Sequence, residues 1–531
     1  MKAMVLACVI GLVVFSSVAG GTPTPAADTY SPASPIILTK GLTETWGAAG
    51  NDMVANIASD SSGNLYLAGV FVGTVDFDPD PVKTEWHSSA NNTTDAFLAK
   101  YDANGVFQWA KTWGGGTGAT SRDTATGMVV DGDGNIYVSG SFQNTVDFNP
   151  DPATTEIHTS NSGDSNNIYI SKFAPDGAFQ WVRTWGPADG GAESYGLARD
   201  AANNIYAVGD FSGTNTNFNP WDAEHPDWHL NHQPTSGPVF FDAFLVKFSS
   251  SGAFQWAKTW GGEGYDDGPG VAVDGLGNIY VAGMYASLNI DFDPAGGGVT
   301  NHPAHDSGPV VDVFLSKFNA NGEFQWVKTW GGQGVEDAGL IVTTDGDNNV
   351  YFSGRFACTN CDFNPGGTPS IHSSNGDLDV FIVKYDAAGN FLWAKTWGGP
   401  GWDAACAVKL DGNEHVYIAG FFVDTVNFDP EGSQMVTSNG LRDVFFTELS
   451  PDGRIISTKT WGGTGNDMGF NLTVGNGGKV YMVGSFSNTV DFDPGTAVEN
   501  HSANGGTDAF LSQFIPLNLS HLVYLPQVVD P

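Results

Sequence analysis

Basic residues are scarce in this chain. Its 531 residues carry 21 Lys and Arg against 58 Asp and Glu, a formal net charge of -37. So acidic a surface excludes nucleic acid and anionic lipid as partners, because both are held through Lys and Arg. The six Arg are scattered along the sequence and suggest no guanidinium cluster for a carboxylate substrate. Cysteine is equally sparse, at four residues, which excludes a small disulfide-stapled fold. No segment keeps a 3.6-residue apolar period over helical length, so a helical architecture is excluded. The one apolar run, Met4 to Val14, is too short to span a bilayer.

That run has the layout of a secretory signal. Lys2 precedes it and Ser17-Val18-Ala19 offers small residues for cleavage before Gly20. The reading is a signal peptide over 1–19, a Thr/Pro/Ser-rich linker over 20–35, and a mature protein that is exported, extracellular or at the cell surface, with no membrane span.

What the sequence has in abundance is 70 Gly, 27 Pro and 12% aromatic residues, the composition of short strands and tight turns. A repeat organises them. Trp-Gly recurs at Trp46, Trp113, Trp185, Trp260, Trp330, Trp397 and Trp461, at intervals of 64 to 75 residues. That length suits one four-stranded propeller blade. Each unit holds strand A (Val271-Ala272-Val273), a turn (Asp131-Gly132-Asp133-Gly134-Asn135), strand B (Ile136 to Phe142), a Thr-Val-Asp-Phe-Asp-Pro segment with a variable loop, strand C (Asp242 to Phe248) and strand D (Phe254 to Trp260). Strands A, B and C occur seven times after a Trp-Gly, but strand D occurs six times after strand C. The missing copy is Ile36 to Trp46. The fold expected is therefore all-β, a single seven-bladed propeller over 36–515, closed by the N-terminal strand completing the last blade. A C-terminal tail, 516–531, follows.

The motifs Trp-Gly-Gly-x-Gly-x-Asp, Val-x-Asp-x-x-Gly-Asn-x-Tyr-Val-x-Gly and Asp-x-Phe-x-x-Lys resemble the SBBP repeat of bacterial exported proteins. The resemblance implies the propeller and supplies no catalytic residues.

Candidate sites gather on the face that carries the D–A and B–C connections, where the loops are longest. A recurrent Asp after each Trp-Gly turn (Asp52, Asp123, Asp266, Asp337, Asp403, Asp467) is expected at the channel mouth, serving either a cation or its own Gly-rich turn. Blade three has Ala192 there. Alternating acids after strand B (Asp76 and Asp78, Asp291 and Asp293, Asp491 and Asp493) offer hard oxygen ligands to calcium, or else fix a turn. A recurrent His (His87, His158, His229, His302, His372, His501) is read as a packing position, one per blade being too dispersed for a shared zinc. The blade-three loop adds Trp221, His225, Trp228 and His232, a set suited to stacking on a sugar or anchoring a protein. Cys358 and Cys361 are expected to form a disulfide. No nucleophile–base pair stands out. The function expected is a non-catalytic binding or adhesion scaffold for a glycan or protein, monomeric, with no required cofactor and calcium as an option. The alternatives are a polysaccharide lyase or hydrolase working at the channel mouth, and a calcium-stabilised structural protein.

Overall fold

The structure is a computed structural model, and it describes residues 38–116, 121–161, 165–232, 240–288, 290–293, 302, 304, 310–332 and 336–516. The expected signal peptide, the linker and all of the tail beyond Pro516 lie outside the described residues. Seven four-stranded antiparallel sheets form the blades. Blade one runs Met53–Ser59, Leu65–Val72, Thr94–Tyr101 and Phe107–Trp113, in that spatial order. Blade seven is assembled from both ends of the described chain: Met468–Val474, Val480–Phe486, Asp508–Pro516 and then Leu38–Trp46. The closing strand pairs from Leu38 opposite Pro516 to Trp46 opposite Ala509. Closure by pairing leaves the ring without an open end.

Strands B and C are buried on both faces because each blade is sandwiched between two others. This is why they read as continuous apolar runs rather than alternating ones. The repeated Trp is buried in every blade, from 1% exposure at Trp185 and Trp260 to 5% at Trp46. The Gly that follows it is required by a neighbour. A methyl group on Gly47, Gly398 or Gly462 would lie within 2.4 Å of the carboxyl carbon of Asp508, Asp379 or Asp443. So the Trp-Gly pair is one bulky core residue followed by a position with no room for a side chain.

The other repeated motifs lock one blade to the next on the A–B/C–D face. The Lys of strand C lies over the strand-B Tyr ring, as Lys172 does over Tyr137 at 4.9 Å. Its ammonium reaches a carbonyl in the C–D turn of the following blade: Lys100 to Pro175 at 2.9 Å and Lys172 to Ser250 at 3.1 Å. The strand-D Trp packs under the Gly of the same turn, and a methyl group on Gly252 would meet the Trp181 ring at 3.0 Å. That Gly adopts φ of 78°, which disfavours other residues independently. Blade six has Glu448 and Ser457 in place of the Lys and Trp, and the blade after it has no C–D turn to receive them, because its strands C and D come from opposite ends of the described chain. Blade seven itself has Gln513 and Leu42 at these positions.

Most of the B–C loop is ordered into a second small element. Thr74–Asp76 pairs with Trp86–Ser88, and equivalent two-stranded ribbons occur in blades two, three, five, six and seven. Strands of two or three residues are too short for alternation to announce them in a sequence.

Candidate binding face

The recurrent Asp residues lie in the seams between blades and are at most 1% exposed. Their carboxylates staple two turns. Asp403 accepts from Gly399 N at 2.7 Å and from Val423 N at 2.9 Å. Asp467 repeats this with Gly463 N at 2.7 Å and Ser487 N at 2.9 Å. Asp52, Asp123, Asp266 and Asp337 do the same in their own blades. The expected ring of acids at the open mouth is thus a ring of acids inside the wall. Burial is the largest influence on each, raising Asp52 to about 6, Asp123, Asp266 and Asp467 to about 7, and Asp337 to about 8.

In every blade but six, where Val436 takes its place, the recurrent His ties the B–C segment to strand D of its own blade. Its Nδ1 meets the Thr before the repeated Trp: His87 with Thr112 at 3.0 Å, His158 with Thr184 at 2.8 Å, His229 with Thr259 at 2.9 Å and His372 with Thr396 at 3.1 Å. His302 does the same with Thr329 at 3.1 Å. In blade seven His501 reaches Thr45 of the closing strand at 2.8 Å. Each ring stands edge-on to the ribbon Phe, at 5.1 to 6.0 Å. Burial and the nearby Lys395 push His372 down to about 4, so this ring is neutral and serves as a hydrogen-bonding wedge.

The paired acids after strand B serve the ribbon turns. Asp76 Oδ1 accepts from Asp78 N at 3.2 Å and Glu85 N at 2.7 Å. Asp491 Oδ1 accepts from Asp493 N at 3.1 Å and Glu499 N at 2.8 Å, and Asp291 accepts from Asp293 N at 3.0 Å. Asn217 makes the same two bonds in blade three, to Asn219 N and Asp227 N. An amide fills the place equally well, so this job needs an acceptor and no charge. Among the described residues one group offers three close metal-ligating atoms: Asp337, Cys358 and Cys361. Two of the three are joined as a disulfide.

The blade-three residues each have their own partner. Trp221, 36% exposed, lies against Trp185 at 6.3 Å and Phe248 at 5.9 Å, with the Arg183 guanidinium 5.7 Å from its ring. Trp228 is 57% exposed on the ribbon, paired with Asn217. His225 meets Asp222 at 3.0 Å, and His232 meets the buried Asp242 at 2.7 Å, a bond that raises its pKa. What reaches the axis from this loop is its far end, where Phe240 and Phe241 pack on the axial core.

That axial core is where the repeat breaks. Beside each seam Asp, the preceding position holds Asn51, Arg122, Gly191, Tyr265, Glu336, Trp402 and Asn466 in blades one to seven. After the strand-B Gly come Val70, Ser141, Asp210, Met284, Arg355, Phe421 and Ser485. Blades five and six gather cations on an aromatic ring: Arg442 lies 4.5 Å and Arg355 5.4 Å from the Trp402 ring centre. Two of the six scattered Arg are therefore neighbours in space, contrary to the expectation from sequence. Blades three and four gather acids and phenols. Tyr195 donates to Glu193 at 3.0 Å, Tyr265 reaches Asp267 at 3.4 Å, and Asn166 donates to Glu193 at 2.7 Å. Around this axial region Arg122 and Asn166 of blade two, Glu193 of blade three, and Glu336 and Asp377 of blade five are half-buried, beside buried Tyr195, Tyr265 and Trp402. Against Tyr195 the channel holds a cavity of about 50 Å³, lined from Asn56 in blade one to Phe470 in blade seven and including the buried Cys406. A water occupies ~30 Å³ of liquid, so this space admits water and no sugar ring. Superposing the repeats and reading the residue beside each seam Asp is the sequence signal that finds this region.

A family model described as a β-propeller repeat, SBBP, matches residues 255–284, which run from strand D of blade three through strand B of blade four. An uncharacterised WD repeat-containing protein, L264, of Acanthamoeba polyphaga mimivirus is 23% identical over 497 residues, covering 81% of this chain and 35% of that protein. The regulatory protein FlaEY of Caulobacter vibrioides is 23% identical over 485 residues, covering 84% of this chain and 46% of that protein. The chain thus spans less than half the length of either relative. Among solved structures, the extracellular domain of the one-component system BT4673 of B. thetaiotaomicron aligns over 89% of this chain and 82% of that one, at 10% identity and a TM-score of 0.15. With seven blades built on one motif set, closed by its N-terminal strand, this chain is a seven-bladed β-propeller that carries the SBBP repeat.

Proposed function

We propose that this protein is an exported, non-catalytic binding scaffold that takes a glycan on the rim of the axial mouth. One observation carries the reading: most positions around the mouth differ from blade to blade, whereas the seams and ribbons repeat in six blades and the outer locks in five. One ligand needs one asymmetric site, and this is where the asymmetry lies. The half-buried Arg122, Asn166, Glu193, Glu336 and Asp377 supply donors and acceptors for hydroxyl groups, and the aromatic rings beside them are buried. The small channel cavity keeps the ligand on the rim. The signal-like N-terminus and the Cys358–Cys361 disulfide support export, since disulfides persist in oxidising compartments.

A glycan array probed with and without chelator tests the reading. Binding that survives chelation and is lost in Glu193→Gln and Glu336→Gln supports it. Loss on chelation alone points to a calcium-dependent protein, turnover of an arrayed polysaccharide points to an enzyme, and silence on the array with capture of a defined protein points to a protein ligand; each overturns the reading. N-terminal sequencing of secreted protein is expected to begin at Gly20.

A further inference from the structure

We propose that four of the seven seams between blades each hold a pair of aspartates sharing one proton, so that acid tightens the ring. The pairs are Asp52 with Asp508, Asp266 with Asp242, Asp403 with Asp379, and Asp467 with Asp443; in the seam of Asp123 both oxygens of the facing Asp95 already have donors, Ala90 N and Thr93 Oγ1. The backbone brings the members together. The N–H of the first donates to the carbonyl just before the second: Asp52 to Thr507 at 2.7 Å, Asp266 to Phe241 at 2.8 Å, Asp403 to Leu378 at 2.6 Å and Asp467 to Arg442 at 2.9 Å.

The hydrogen bonds leave one atom over. Both oxygens of the first member accept backbone N–H groups, as described above. In the second member Oδ2 accepts, from His232 N, Asn375 N, Asn439 N and Asn504 N respectively in Asp242, Asp379, Asp443 and Asp508. Oδ1 of these same four residues is buried with no donor. A bare carboxylate oxygen out of water is costly. A proton on it removes the charge and gives it a bond to donate across the seam. In the blade-three seam Asn167 and Ala192 replace both acids together, while the Ala192 N–H still meets the Asn166 carbonyl at 2.9 Å. Asn167 Oδ1 is likewise buried with no donor, so the oxygen that fills this place there is a neutral one.

The charges acting on the described members are other carboxylates, Asp377 on Asp379 and Asp424 on Asp403 included, and at Asp242 the ring of His232. Tyr169 and Tyr285 face Asp123 and the Asp312–Asp266 region. Burial comes first at every member, and the partner Asp adds to it in Asp52, Asp266, Asp403 and Asp467. These groups titrate upward in the fold, at about 6 to about 7 where a value is given, against ~3.9 in an unfolded chain. The folded ring therefore binds more protons than the unfolded chain over that range. Stability rises as pH falls through that range and is lost as pH rises again.

Infrared spectroscopy of the full chain at pH 7 reads the protons directly, and melting at pH 8 and pH 6 in about 0.5 M salt, where surface repulsion is screened, reads their effect. The expected result is a protonated-carboxyl band at pH 7 and a higher Tm at pH 6 despite the salt. Asp443→Asn, which copies Asn167, is expected to reduce the band by one seam's share and to narrow the Tm gain. No protonated-carboxyl band in the parent protein, or a Tm gain abolished by salt, overturns the proposal even if the variant does not fold.

Discussion

Trp402 and Asp403 are neighbours in the chain and belong to two regions built under opposite rules. Asp403 sits between blades, where two backbone N–H groups need an acceptor and have no water to turn to. The same need arises in six blades, and all six meet it with Asp; in blade three Pro187 stands where Gly399 donates and has no N–H to satisfy. Trp402 points to the axis, where seven blades meet once, and the residues at this position are Asn, Arg, Gly, Tyr, Glu, Trp and Asn in turn. A repeated residue is thus evidence of a repeated structural debt, and its regularity argues against a ligand site. The informative positions are those one residue away, where the repeat supplies the backbone and leaves the side chain free to vary.

The most severe way to probe this contrast is to open the ring. A variant lacking residues 38–46 loses the whole outer strand of blade seven, the Trp46 core contact and the His501–Thr45 pin. It is expected to lose its single cooperative calorimetric transition altogether. A melting profile like that of the parent would mean that the blades are held by something other than closure. A single seam comes next. Asp403→Ala strands the N–H groups of Gly399 and Val423, at about 1–3 kcal/mol each, and is expected to lower denaturant-derived stability accordingly. Asp403→Asn keeps one acceptor oxygen and should lose less.

The pins should show a smaller and pH-dependent effect. His372→Ala removes one hydrogen bond and an edge-on ring contact, worth about 1–2 kcal/mol together. The folded ring titrates at about 4, against ~6.5 when unfolded. The contribution of His372 is therefore full above pH 6.5 and fades as pH falls towards 4. The stability difference between variant and parent, followed by urea denaturation from pH 7.5 to 4.5, should shrink in that direction. A difference that grows with acid would place a charged His in the wedge.

How much of this was legible beforehand follows the same division. The ring, its seven blades and its closing strand could be read because each is written many times. Turn residues and the Thr-Trp-Gly ending recur at every copy. The His was legible as architecture but its partner was not, since Thr112 lies across a ribbon that two- and three-residue strands do not announce. The Asp ring was assigned to the open mouth because a turn residue could face either way, and only the stapled N–H groups of the next loop decide it. The Arg355–Trp402–Arg442 stack was hidden by sequence separation: three blade positions meet at the axis that no local pattern connects. Trp221 and Trp228 drew notice for being unusual, although composition cannot say that one lies on Trp185 and the other in solvent.

Those last two residues, set against the mouth, give the finest test of where ligand is taken. Trp228 is exposed and its substitution by Ala should leave stability within about 0.5 kcal/mol. Trp221 packs on Trp185, Phe248 and Arg183, so Trp221→Ala should cost about 1–3 kcal/mol in stability. Glu336 is half-buried at the rim and Glu336→Gln preserves its shape, so it too should fold as the parent does. If the asymmetric rim is the site, glycan binding falls with Glu336→Gln and is untouched by Trp228→Ala, although the two variants melt alike. Binding lost with Trp228→Ala and kept with Glu336→Gln would move the site to the ribbon of blade three. It would also show that the function of this ring resides in one inserted loop and not in the axis that all seven blades share.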